Sequence, residues 1–217
     1  MTNPVPVRLF TYFRSGASWR VRIGLAWKGL DVAQTALDLR TGAQMAPEWL
    51  ARNPQGMVPA LELSDGTLLT QSLAILEWLE ECYPLAPFLP ADPTARAKIR
   101  AACLVIAADT HPIQNLGILK RVEAVMDAYR ARQWAHNIIQ HGLTAFEALI
   151  AREPGLFCFG AQATLADILL VPMLANARRF GVDLGQFPRI AQAEAACATL
   201  PAFAGAVPEA QPDADRI

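Results

Sequence analysis

Residues 58–70 read VPALELSDGTLLT, two short apolar-rich runs on either side of Ser64-Asp65-Gly66. Asp-Gly between such runs is the strongest short-range signal for a β-hairpin, because the turn needs a backbone conformation that glycine adopts without steric cost. Gln71-Ser72 then opens a run in which Ile75, Leu76, Leu79 and Cys82 share one helical face and Glu77, Glu80 and Glu81 the other. A helix capped by Ser72 and running to Tyr83 is expected. Towards the amino terminus, residues 7–12 read as a strand. Ser15-Gly16-Ala17-Ser18 then leads into an apolar-periodic stretch from Trp19 to Trp27 that closes at Gly29, with helix start and stop signals in place. Residues 32–39 read as a second strand, and Pro47 suits the first turn of a short helix over 47–52. The order is β-α-β-α-β-β-α, ending near residue 84.

Pro84, Pro87, Pro90 and Pro93 follow, the pattern of a stiff linker. Beyond it the chain is rich in Ala and Leu with helical periodicity. Ile99, Cys103, Ile106 and Ile113 form one stripe, which Pro112 should kink. Further helices are expected over 122–152, 165–180 and 188–198. Thr164-Leu165-Ala166-Asp167 has capping-box spacing, with Asp in place of the usual Glu or Gln. The tail after Pro208 carries little hydrophobicity and is expected to fray.

At 217 residues the chain suits one large domain or two small ones, and 53% hydrophobic against 18% charged residues excludes a disordered protein. Net charge is −1, but the first 30 residues hold Arg8, Arg14, Arg20, Arg22 and Lys28 and no acid. A positive end on a near-neutral chain suits a small anionic ligand, and neither nucleic acid nor a membrane is expected as a partner. Cys82, Cys103, Cys158 and Cys197 lie far apart, with no metal-ligand spacing, so reduced thiols and no metal are expected. No apolar run reaches the length of a membrane span and the start lacks a signal-peptide pattern, so a cytoplasmic location is expected.

A small β-α-β-α-β-β-α unit joined by prolines to a helical half resembles the soluble glutathione transferases. Ser15-Gly16-Ala17-Ser18-Trp19-Arg20-Val21-Arg22-Ile23 is similar to the zeta-class signature Ser-Ser-Cys-x-Trp/His-Arg-Val-Arg-Ile. Asn53-Pro54 to Val58-Pro59, Gln71-Ser72-Leu73-Ala74-Ile75, His111-Pro112-Ile113-Gln114-Asn115 and Asn176 to Leu184 are further zeta-like stretches. The resemblance, to the zeta-class glutathione transferase and maleylacetoacetate isomerase family, covers the chain from about Val7 to Pro212. It implies a thioredoxin-like α/β glutathione-binding domain over 1–84, a proline-rich linker over 85–93 and an all-α substrate-binding domain over 94–217. It also implies a cytoplasmic homodimer that uses glutathione as cofactor and takes a small dicarboxylate-type substrate. The implied activity is cis–trans isomerisation of maleylacetoacetate in tyrosine breakdown, by reversible thiolate addition. Maleylpyruvate isomerase, a general glutathione transferase and a non-catalytic binding module are the alternatives. Leu116-Gly117, with no arginine after Asn115, leans towards maleylacetoacetate.

The site residues follow from the motifs. Ser15 stands at a helix N-terminus, where open N–H groups and the positive dipole end favour an anion, and its hydroxyl suits hydrogen bonding to a thiolate. Lowering a thiol pKa of about 8.5 by two units takes about 2.7 kcal/mol, within reach of one charge-assisted hydrogen bond plus a helix terminus. Serving only as a helix cap is the other reading of Ser15. By resemblance, Val58 before Pro59 pairs through its backbone with the cysteinyl part of glutathione, Gln71 and Ser72 hold the γ-glutamyl carboxylate, and Gln44, His111 and Asn115 add contacts. Arg14 and Arg179 are the candidates for substrate carboxylates, since arginine pairs with them in bidentate fashion, and Arg178 leaves that register open. The signature departs from the family at Gly16 and Ala17, where a serine and a cysteine are usual.

Overall fold

The computed structural model describes residues 4–215, which divide into two compact units: residues up to Pro87 together with those from Leu200 onward, and Phe88–Thr199.

The first unit is built on a four-stranded sheet. Strands β1 (Pro6–Thr11), β2 (Ala33–Ala36), β3 (Ala60–Leu63) and β4 (Leu68–Thr70) lie in the order β2-β1-β3-β4. β1 and β2 run parallel, so a crossover must join them, and helix α1 (Gly16–Trp27) supplies it. β3 pairs antiparallel with both β1 and β4, and Gly66, at φ 86°, makes the expected hairpin turn. Helix α2 (Pro47–Leu50) precedes the hairpin and α3 (Ser72–Cys82) follows it. Leu9, Val21, Ile23, Leu61, Ile75, Leu76 and Leu79 form the buried core between sheet and helices.

Three expectations are corrected here. β2 is shorter than residues 32–39, because the Asp38 carboxylate accepts the Arg40 N–H at 2.9 Å and turns the chain away. Gln71, at φ 66°, is the cap of α3, and Ser72 is its first helical residue, with no side-chain cap bond at that end. Glu80, placed by periodicity with the solvated acids, is buried because Lys28, whose side chain is fully covered, donates to it at 3.0 Å.

The second unit is helical. It runs through α4 (Pro93–Leu104), a π-helical turn over Val105–Thr110, a 3-10 turn over Pro112–Gln114, α5 (Leu116–Val125), α6 (Ala128–Ile150), α7 (Leu165–Arg179) and α8 (Pro188–Ala198). The expected kink near Pro112 is thus a change of helical pitch. Ile99, Cys103 and Ile106 of the stripe are buried, while Ile113 is partly exposed. The single helix expected over 122–152 is two helices, because Asp127 accepts the Arg130 N–H at 2.7 Å and starts α6 afresh. At α7 the capping box forms with Asp167 as its acid.

Gly142 of α6 packs directly against the Thr110 side chain, leaving no room for a β-carbon. Gly142→Ala is expected to destabilise the protein by about 1–3 kcal/mol through overpacking, read as a lower midpoint in thermal unfolding.

The chain then returns to the first unit. Helix α9 (Pro201–Ala204) contacts α1, and Phe203 lies 6.0 Å from Trp27, ring centre to ring centre. The tail beyond Pro208 does not fray as far as Asp215: Gln211 is buried and donates to the carbonyls of Gly205 at 3.2 Å and Val207 at 2.9 Å. Low hydrophobicity misled here, because this segment is held by hydrogen bonds rather than by apolar burial.

Candidate functional site

The loop between β1 and α1 carries Arg14 and Ser15. Ser15 caps α1: its Oγ accepts the Ser18 N–H at 3.2 Å. A hydroxyl that accepts one bond still has its own proton to donate. No acidic residue stands in the first turn of α1 or of α3, so the positive end of both helix dipoles is left for an outside anion.

Other residues singled out in the sequence meet near these helix ends. Arg20 of α1 is buried, and its Nη1 donates to Ser72 Oγ at 3.4 Å, tying the first turn of α3 to α1. Next to Ser72, Gln71 donates from Nε2 to Gln55 Oε1 at 2.8 Å. Gln55 belongs to the loop before Val58, closed by Gly56 N–H on the Asn53 carbonyl at 2.9 Å and by Asn53 Nδ2 on the Met57 carbonyl at 2.8 Å. Gly56, at φ 61°, packs so closely on the Gln44 carbonyl and Met45 that a side chain there would collide with both. Ser72, Gln71, Val58 and Gln44 are therefore linked through one loop.

One feature of that loop and one of the turn packed on it fit a peptide-like ligand. The Val58–Pro59 peptide is cis, and neither the N–H nor the C=O of Val58 has a partner among the described residues, so both can pair with an added strand. Gln44 Oε1 is buried with no hydrogen bond, which costs free energy until a donor arrives. A tripeptide bearing carboxylates and amides meets both needs, and the open helix N-termini suit its anionic groups. The residues present therefore fit glutathione.

Among the described residues the cysteines show no sign of an activated thiol. Cys103, Cys158 and Cys197 are buried, and burial pushes the thiols of Cys158 and Cys197 up, away from thiolate. Cys82 is raised as well, by desolvation first. Two residues after Ser15 the chain has Ala17, not a cysteine. No metal-ligating cluster occurs among the described residues.

Arg14 is exposed, and its Nη2 lies 3.4 Å from Asp215 Oδ2, with the guanidinium 5.0 Å from the Phe13 ring centre. Arg40 reaches the same carboxylate at 2.8 Å and also Asp38, whose carboxyl its hydrogen bonds hold below the usual range. One carboxylate of the tail, Asp215, thus already lies against Arg14, next to Ser15, and against Arg40. Periodicity gave no sign of this contact, because 201 residues separate its partners.

The remaining candidates belong to the helical unit. His111 sits in the turn between Val105–Thr110 and Pro112–Gln114. Asn115 caps α5, its Oδ1 accepting the Ile118 N–H at 3.1 Å. Trp134 of α6 donates to the Ile113 carbonyl at 3.0 Å and holds this turn. The neighbours Arg178 and Arg179, both in the last turn of α7, differ in their partners: Arg178 makes a two-pronged ion pair with Glu194, one prong at 2.5 Å. Arg179 has no ion pair among the described residues, and its guanidinium lies 5.5 Å from the Phe180 ring centre.

Comparison with known proteins places this geometry. Residues 14–82 match the family model of the glutathione S-transferase N-terminal domain, and residues 118–200 that of the C-terminal domain. The chain is 44% identical to the maleylacetoacetate isomerase of Pseudomonas aeruginosa, covering 95% of this chain and 98% of the relative. It is 42% identical to a maleylpyruvate isomerase of a Ralstonia species, covering 95% and 99%. Among solved structures, it superposes with a TM-score of 0.90 on a maleylacetoacetate isomerase from Anaeromyxobacter dehalogenans with dicarboxyethyl glutathione and citrate bound in the active site. That pair is 42% identical, over 99% of this chain and 100% of the other.

Proposed function

The chain belongs to the glutathione S-transferase family, and on that premise we propose that it is a zeta-class, glutathione-dependent cis–trans isomerase converting maleylacetoacetate to fumarylacetoacetate. The observation that carries the reading is the half-buried Ser15 hydroxyl, free to donate at the acid-free start of α1, while Cys82, Cys158 and Cys197 are all held away from thiolate. Bound glutathione supplies a sulfur nucleophile that adds reversibly to the cis double bond, frees it to rotate and leaves unchanged.

The chain's residues do the rest. Ser15 donates a hydrogen bond to the sulfur and, with the helix dipole, keeps it anionic. Val58 pairs with the cysteinyl backbone, Gln44 closes its open hydrogen bond on the tripeptide, and Gln71 with Ser72 holds the γ-glutamyl carboxylate at the start of α3. His111 and Asn115 add contacts to glutathione. Arg14 and Arg179 hold the substrate carboxylates and the negative charge that develops on the carbonyl oxygen. A homodimer in the cytoplasm, serving tyrosine breakdown, completes the reading.

Following the loss of the cis acid with and without glutathione tests the proposal. Turnover is expected to fall to background when glutathione is withheld, and turnover independent of it would overturn the mechanism. Arg179→Met is expected to raise KM for the diacid about tenfold to a hundredfold, the loss of one charge-assisted pair. Arg178→Met, which breaks only the ion pair with Glu194, should leave KM unchanged. The similarity to a maleylpyruvate isomerase supports a second reading with the same chemistry on a shorter diacid. The ratio of kcat/KM on the two acids decides between them.

A further inference from the structure

The loop that carries Ser15 is gripped from two sides, by a charge on the helix it opens and by one 200 positions away. On one side Arg22, buried in α1, donates from Nη1 to Thr11 Oγ1 at 3.2 Å and the Tyr12 carbonyl at 3.5 Å. It donates from Nη2 to the Phe13 carbonyl at 3.1 Å and from Nε to the Ala206 carbonyl at 3.2 Å. On the other side the Phe13 N–H donates to Asp213 Oδ2 at 2.9 Å. The Tyr12–Phe13 peptide therefore has a carboxylate on its N–H at 2.9 Å and a guanidinium on its C=O at 3.5 Å, and the same guanidinium holds the next carbonyl at 3.1 Å. The same Tyr12 carbonyl accepts the Ser15 N–H at 2.9 Å.

We propose that Asp213 and Arg22 are positioning residues that act through the Tyr12–Phe13 peptide to hold the Ser15 hydroxyl where it meets the glutathione sulfur. The proposal rests on the thiolate role assigned to Ser15 above. Its physical basis is charge balance. Arg22 makes no ion pair among the described residues, and a buried guanidinium surrounded only by carbonyls and a hydroxyl needs a counter-charge. Asp213 provides one across a polarised peptide, and burial, offset by that carboxylate, brings Arg22 down to about 10, so it stays charged at neutral pH. Charge-assisted bonds of this kind are stronger than neutral ones, and two of them at opposite ends of one peptide restrict its rotation. The last turn of the chain thereby helps to set the geometry of a hydroxyl near its start.

Two measurements on the full chain test this. The first needs no glutathione: amide hydrogen exchange at Phe13 and Ser15. Asp213→Ala is expected to cut protection at Phe13 about tenfold, and Asp213→Asn by less, since its amide oxygen still accepts but carries no charge. The second is the titration of the thiol in the glutathione complex, followed by thiolate absorbance. Asp213→Ala and Arg22→Met should each raise its apparent pKa by about one unit, with no further rise in the double variant, because both act through one peptide. If Arg22→Met fails to fold, the Asp213 variants decide alone. Unchanged protection at Phe13 in Asp213→Ala overturns the proposal. So does a bound thiol that titrates as in the wild type in that variant while Ser15→Ala shifts it. If Ser15→Ala itself leaves the titration unmoved, the thiolate role of Ser15 falls instead, and the exchange measurement still decides whether the grip on the loop is real.

Discussion

Ser15→Ala is expected to lower kcat at pH 7 by up to about twenty-five-fold, with a deficit that shrinks as pH rises. With the thiol near 6.5, about three-quarters of bound glutathione is ionised at neutrality; back near 8.5, only about 3% is. Loss of the charge-assisted hydrogen bond removes most of that stabilisation, and the open N-terminus of α1 retains the rest, so this ratio is the upper bound. Above about pH 8.5 the sulfur ionises without help, so the variant should recover most of its turnover there, which a merely structural defect would not allow. The substitution also removes the cap on Ser18 N–H, at a cost of about 1 kcal/mol in unfolding free energy. Ser15→Thr keeps a hydroxyl and should retain both cap and activity. A variant with wild-type turnover and an unshifted pH profile would leave Ser15 as a cap alone.

The largest effect on stability is expected at Asp167. Its carboxylate is buried and accepts the N–H of Cys158 at 3.0 Å, the N–H of Thr164 at 2.8 Å and the Thr164 hydroxyl at 3.1 Å. Asp167→Ala leaves these buried donors without partners and should cost about 3–5 kcal/mol, measured by denaturant unfolding. Asp167→Asn keeps one acceptor oxygen and should lose less. Desolvation holds the Asp167 carboxyl above the usual carboxylate range despite those hydrogen bonds. The folded state therefore binds its proton more tightly than the unfolded state does. This group's contribution is fully present below the ordinary carboxylate pKa and declines as pH rises through the raised folded value. Both variants should lose that slope, and a slope that survives in them would have to come from another group.

Much of the first unit was legible in its residues. Asp65-Gly66 between two apolar runs became the hairpin, and Ser15 became the cap of α1, because turns and caps are decided within four or five residues. Thr164 and Asp167 closed their capping box for the same reason. The break at Asp127 was missed although a cap residue stood there, because the apolar periodicity continues across it. Arg20 and Arg22 carried a signal that went unused: two arginines inside an otherwise apolar helical run require buried partners.

Legible from the residues alone were the element order of the first unit, the capped start of α1 and the family to which the motifs belong, since each is written in short-range periodicity, local hydrogen-bonding chemistry or motif spacing. Only the tertiary structure decided that Glu80 is buried on Lys28, that Arg178 rather than Arg179 is held by Glu194, and that the tail docks its aspartates beside Ser15. Those contacts join residues from 16 to 201 positions apart. Which charge meets which over such separations is set by how the elements pack, and no local pattern encodes it.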